Sequence, residues 1–97
     1  MTDLAPFTVI IPAHNEEAVI ARCLRNVFAG APGDAVEVIV AANGCRDRTV
    51  EIARAACPQA TVLDMPAGSK TAAINAANRV AKWFPRIYLD ADVECNY

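Results

Sequence analysis

Phe7-Thr8-Val9-Ile10-Ile11-Pro12-Ala13-His14-Asn15-Glu16-Glu17-Ala18-Val19-Ile20-Ala21-Arg22-Cys23-Leu24 changes its period halfway along, and that change decides the fold. Phe7 to Ile11 is a short run rich in β-branched residues, ended by Pro12, which reads as a buried strand. From Glu16 onward the apolar residues Val19, Ile20, Cys23, Leu24, Val27 and Phe28 fall on one face of a helix. Asn15 is the predicted N-cap, and Glu16 and Glu17 put negative charge at the positive end of the helix dipole. Gly30, Pro32 and Gly33 close the unit.

The same unit then recurs. Val36 to Val40 reads as a second buried strand, followed by the turn Ala42-Asn43-Gly44-Cys45 and a helix capped by Asp47 or Thr49. That helix runs through Val50, Ile52, Ala53 and Ala56 and stops at Pro58. Thr61 to Leu63 is a short third strand, and Met65 to Gly68 a loop. Ser69 caps a third helix with a buried face of Ala73, Ile74, Ala77, Val80, Ala81 and Phe84, ended by Pro85. Ile87 to Leu89 is a fourth strand, read as buried, that runs into Asp90-Ala91-Asp92. Hydrophobic strands alternating with helices imply a parallel sheet covered on both faces. Right-handed crossovers then predict a doubly wound α/β fold with strand order 3-2-1-4, in which strand 4 is an edge. The ligand crevice of such a sheet lies at the carboxyl ends of its strands. The loops His14-Asn15-Glu16, Ala42-Asn43-Gly44 and Asp90-Ala91-Asp92 should meet there.

Composition narrows the classes. The chain has 97 residues, 55% of them apolar and 21% charged, with a net charge of −2, which suits one small globular domain. Its basic residues are scattered rather than gathered in a stripe, so a nucleic-acid partner is not expected. No apolar stretch approaches the roughly 20 residues that span a bilayer, and the start lacks the pattern of a signal peptide. The four cysteines, Cys23, Cys45, Cys57 and Cys95, form no C-x-x-C pair, and there is a single histidine, which argues against zinc. The default expectation is reduced thiols and a cytoplasmic location.

Four segments in order resemble the family 2 glycosyltransferases of the GT-A fold. Val9 to Glu17 looks like the opening strand and Pro-x-Tyr-Asn-Glu motif. Val38 to Thr49 looks like the second strand and Asp-rich turn, Ser69 to Asn75 like a Lys-Gly-x-x-x-Asn helix start, and Tyr88 to Val93 like the Asp-x-Asp ending. His14 replaces the usual tyrosine, Ala42 and Asn43 replace an acidic pair, and Thr71 stands where a glycine follows the lysine. Sugar nucleotidyltransferases open with a Gly-rich loop instead. Phosphatases with Asp-x-Asp-x-Thr carry that motif after their first strand, so neither class fits.

The resemblance implies an inverting transferase that uses a nucleotide-diphospho-sugar donor and a divalent cation, Mg²⁺ or Mn²⁺. Asp92 would be the direct metal ligand, with Asp90 on the ribose or on metal-bound water. Carboxylate oxygens suit such a cation, which neutralises the leaving diphosphate. Ala13, Glu16 and Asn43 would line the nucleoside pocket. The plainer readings of the last two are a helix-dipole acid and a turn residue. Lys70, a cation at a helix start, would meet a phosphate or the base, or else is an exposed lysine. His14 either stacks on the base edge or is a loop histidine without a role. The resemblance also implies that residues 1–97 are a partial domain, the donor-binding half, with the general base and acceptor half beyond them. The alternative is a nucleotide-binding remnant without turnover. Either way, an uncovered strand 4 is expected to support self-association.

Overall fold

The structure, a computed structural model, describes residues 7–30, 36–66 and 69–89. Its elements run β1 (Phe7–Ala13), α1 (Ile20–Gly30), β2 (Val36–Asn43), α2 (Thr49–Ala56), β3 (Thr61–Met65), α3 (Lys70–Val80) and β4 (Arg86–Tyr88). The four strands form one parallel sheet in the order β3-β2-β1-β4, as the alternation of strands and helices predicts. Phe7 pairs with Val36 and Ala13 with Ala42, while Ile39 to Asn43 pair with Thr61 to Met65.

Alternation along β1 sorts its side chains between the two layers. Phe7, Val9, Ile11 and Ala13 pack with Val36, Val38 and Val40 against Ile20, Cys23, Leu24 and Val27 of α1, and against Ala53 and Cys57 at α2. Ile10, Ile39 and Ala41 point the other way, onto Ala73 and Ala77 of α3. One face is therefore filled by branched aliphatics and the other by alanines, which lets α3 lie close to the sheet.

Several boundaries differ from the sequence reading. β1 continues through Pro12 to Ala13. Thr8 N–H donates to Pro85 O and Ile10 O accepts from Leu89 N–H, so residues of this parity bond toward β4. The N–H that Pro12 lacks thus falls on the β4 side, past the last paired residue, Tyr88. β2 runs to Asn43 and β3 to Met65, because each gains a partner on the neighbouring strand where a turn and a loop were expected. Asn15 is not the N-cap of α1: it has φ of 53°, and the helix begins five residues later. Cys23 is disulfide-bonded, contrary to the expectation of reduced thiols, whereas Cys45 and Cys57 are free.

The third helix agrees at its start and departs at its end. Ser69 Oγ accepts from Ala72 N–H at 3.1 Å, the expected cap. The helix stops at Val80, so Val80 (46% exposed) and Phe84 (73%) miss the core, which takes Ala73, Ala76 and Ala77 instead. Phe84 and Pro85 are joined by a cis peptide bond, and the Arg86 guanidinium lies 4.0 Å over the Phe84 ring. Below the sheet, Glu37 Oε1 gathers the Thr8 hydroxyl at 2.9 Å and Lys82 N–H at 2.8 Å, tying the exit of α3 to β1 and β2. β4 comprises Arg86 to Tyr88 and is not buried. Ile87 and Tyr88 are 37% and 50% exposed, because no described element covers that edge.

Two outcomes follow from this architecture. Ser69→Ala should lower stability by about 1 kcal/mol, read as a lower midpoint in urea with an unchanged slope. Ile87 and Tyr88 are exposed on β4, the edge strand, so the 97-residue chain should self-associate with rising concentration in sedimentation velocity, and Ile87→Lys should suppress it. A monomer at every concentration would contradict this.

Candidate functional site

The strand registers bring the carboxyl ends of β1, β2 and β3 level: Ala13 stands beside Ala42, and Asn43 beside Met65. The chain leaves all three strands at this edge. Between the loops lies an open cleft of about 380 Å³, lined by His14, Asn15, Gly44, Arg46 and Pro66. Gly44, at φ of 60°, takes the left-handed conformation that turns the chain out of β2, and its N–H bonds Met65 O at 2.8 Å.

A chain of polar contacts fixes the cleft wall. His14 Nδ1 lies 2.6 Å from Asn43 O. A carbonyl only accepts, so Nδ1 is the donor of this bond, and Nε2 faces the Asn15 amide. Asn15 Nδ2 sits 3.4 Å from that Nε2, and Asn15 Oδ1 accepts from Arg46 N–H at 2.8 Å. The first loop is thus joined to the second at both its ends. Beneath them Ala13 O accepts from Asn43 Nδ2 at 3.1 Å and lies 3.6 Å from Cys45 Sγ.

A second set of bonds joins the two helix entries. Glu16 N–H donates to Thr49 Oγ1 at 2.8 Å, and Glu17 N–H to Asp47 Oδ2 at 3.3 Å. In return Arg48 N–H donates to Glu17 Oε1 at 3.4 Å. Asp47 Oδ1 accepts both the N–H of Thr49, at 3.0 Å, and its hydroxyl. Three backbone donors at the helix entries, those of Glu16, Glu17 and Arg48, are therefore taken by acceptors from the other entry, and that of Thr49 by Asp47 of its own. A ligand in the cleft meets His14, Asn15, Gly44, Arg46 and Pro66.

The expected site residues separate. His14 lines the cleft. Ala13 and Asn43 lie beneath it, both buried, and Glu16 is half-buried at the entry to α1. Lys70 is exposed at the first residue of α3. Asp90 and Asp92 lie outside the described residues. Asn15, Arg46 and Pro66 line the cleft without having been singled out. Arg46 was the most legible of these, as a cation in the turn after a strand.

Burial raises the Asp47 carboxyl, but the hydrogen bonds from the Thr49 hydroxyl, Thr49 N–H and Glu17 N–H outweigh it and hold the group below its ordinary 3.8. A depressed folded value stabilises the protein above 3.8, and the contribution disappears as pH falls through that lower value. Asp47→Asn should therefore melt below the parent at neutral pH, and the gap should close as pH falls below 3.8. A gap that persists in acid would exclude this origin.

Comparison with known proteins bears on the same residues. The family described as glycosyl transferase family 2 matches residues 8–97. The glycosyltransferase AglE of Haloferax volcanii is 46% identical over 56 residues, which cover 56% of this chain and 18% of that protein. The mannosyltransferase PcManGT of Pyrobaculum calidifontis, solved in complex with GDP-Man and Mn²⁺, matches with a TM-score of 0.81 and 30% identity over 93% of this chain. The chain spans 30% of that structure's length, so it corresponds to less than a third of either relative. Its sheet order and its flanking helices are those of the GT-A fold. On the match across residues 8–97, the chain belongs to glycosyl transferase family 2.

Proposed function

We propose that these residues form the donor-binding half of an inverting glycosyltransferase that uses a nucleotide-diphospho-sugar. The observation that carries the reading is the cleft at the ends of β1 to β3, whose described lining includes His14 and the basic residue Arg46. A nucleoside diphosphate presents a flat base and dense negative charge, which an open cleft with a ring and a cation on its wall can hold. The GDP-Man bound to PcManGT supports a donor of this class.

In this reading Ala13, Glu16 and Asn43 shape the nucleoside end and His14 flanks the base. Lys70 meets the base or a phosphate, and Asp90 the ribose. Among the described residues no group of three His, Cys, Asp or Glu side chains could hold a metal ion. The proposed ligands of Mg²⁺ or Mn²⁺ are accordingly Asp92, with Asp90, and the donor's own phosphates, an all-oxygen set that fits either ion. When bound, the cation supplies charge neutralisation for the departing nucleoside diphosphate. Arg46 and His14 position the donor, and the internally bonded loop backbone keeps both at fixed places. The base that deprotonates the acceptor hydroxyl is assigned to a part of the protein outside these 97 residues. The small share of each relative that the chain spans supports that division.

Calorimetry with GDP and UDP, with and without Mn²⁺, tests the proposal. Binding should tighten with Mn²⁺, Asp92→Ala should abolish the metal dependence, and Arg46→Ala should weaken binding by about tenfold, the usual effect of losing a charge-assisted hydrogen bond. Metal-independent binding, or an Arg46→Ala variant that binds like the parent, would overturn it. No glycosyl transfer is expected from the 97 residues alone, and turnover with any acceptor would show that the base has been misplaced.

A further inference from the structure

Thr49 is fully buried, lies outside the cleft, and is one of only three buried polar or charged residues among those described. Its hydroxyl has both capacities occupied: it accepts from Glu16 N–H at 2.8 Å and donates to Asp47 Oδ1. Asp47 in turn takes Glu17 N–H at 3.3 Å. A buried hydroxyl with a methyl beside it could be replaced by valine almost without change of shape, and a helix start needs no buried threonine for packing alone. What valine cannot do is accept the Glu16 N–H, which would be left unpaired.

We infer that Thr49 is a positioning residue for the donor cleft. The inference deepens the function proposed above and rests on it. Through Glu16 and Glu17 the Thr49–Asp47 pair sets where the chain turns after His14 and Asn15. Those two side chains close the contacts to Asn43 and Arg46 along the cleft wall. Without the hydroxyl, Glu16 N–H loses its bond to the start of α2, and the segment is held only through the contacts of Asn15 and Glu17 with Arg46, Asp47 and Arg48. His14 and Arg46 then lose their common alignment, although neither touches Thr49. Asn15 holds φ of 53°, a left-handed conformation that asparagine adopts more readily than other non-glycine residues, and its side chain carries the contacts to His14 and Arg46.

The experiment compares the parent with Thr49→Val, Thr49→Ser and Asp47→Asn by hydrogen exchange at the Glu16 and Glu17 amides and by calorimetry with GDP and Mn²⁺. Thr49→Val should exchange Glu16 N–H at least about tenfold faster and bind GDP about tenfold more weakly while keeping a cooperative melt; Thr49→Ser should restore both. Restoration by serine separates positioning from loss of packing, since serine lacks the methyl and keeps the hydroxyl. A folded Thr49→Val that binds GDP as the parent does would overturn the inference. If Thr49→Val fails to fold, Asp47→Asn decides: it should weaken binding about threefold and speed exchange at Glu17, and unchanged binding overturns the inference. A parent that binds no nucleotide overturns the proposed function and with it the link to the cleft. Protected Glu16 and Glu17 amides in that parent, released in Thr49→Val, would show that the failure lies in the ligand and not in the anchor.

Discussion

Everything at the carboxyl edge of the sheet depends on one exchange of hydrogen bonds, in which the entries to α1 and α2 satisfy each other's backbone donors. Glu16 and Glu17 give their N–H groups to Thr49 and Asp47, and Glu17 accepts from Arg48 in return. Each helix start alone would leave orphan donors to water or to a local cap. Pairing them locks two βα units together at the point where both turn away from the sheet. The cleft is a by-product of that lock, since the residues just before it, His14 and Asn15 on one side and Gly44 and Arg46 on the other, are the ones left facing solvent.

The sheet order and the two helical layers were legible because period changes are local: Val9 to Ile11 and Val19 to Val27 announce strand and helix without reference to anything distant. The Ser69 cap was legible for the same reason, with donor and acceptor three residues apart. The N-cap assigned to Asn15 failed because the real acceptors for that turn sit about thirty residues later, on Asp47 and Thr49, and no local pattern encodes such a contact. Phe84 and Val80 were read as core from helical spacing, but the helix ends before the spacing can be used. In the site, residue types marked the right loops. They did not show that Asn43 would spend its amide on Ala13 O, leaving His14 and Arg46 at the surface.

The two faces of the sheet also differ in what they tolerate. Under α1 and α2, interlocking Ile, Leu and Val side chains leave room for compensating swaps of similar volume. Under α3 the contacts are Ala73 and Ala77 against Ile10, Ile39 and Ala41, and there an added methylene has nowhere to go without moving the helix. The position of α3, and of Lys70 at its start, is thus set by the smallness of two side chains.

Pro12 carries a consequence for the other side of the crevice. The bond from Leu89 N–H to Ile10 O is the last rung between β1 and β4 among the described residues, and the next donor that β1 would offer in that direction is the missing N–H of Pro12. Thermal breathing can open a ladder, but no fluctuation can supply the one rung that a nitrogen without a proton would have donated. One rung at the carboxyl end of β1 is therefore ruled out by covalent structure, whatever the temperature.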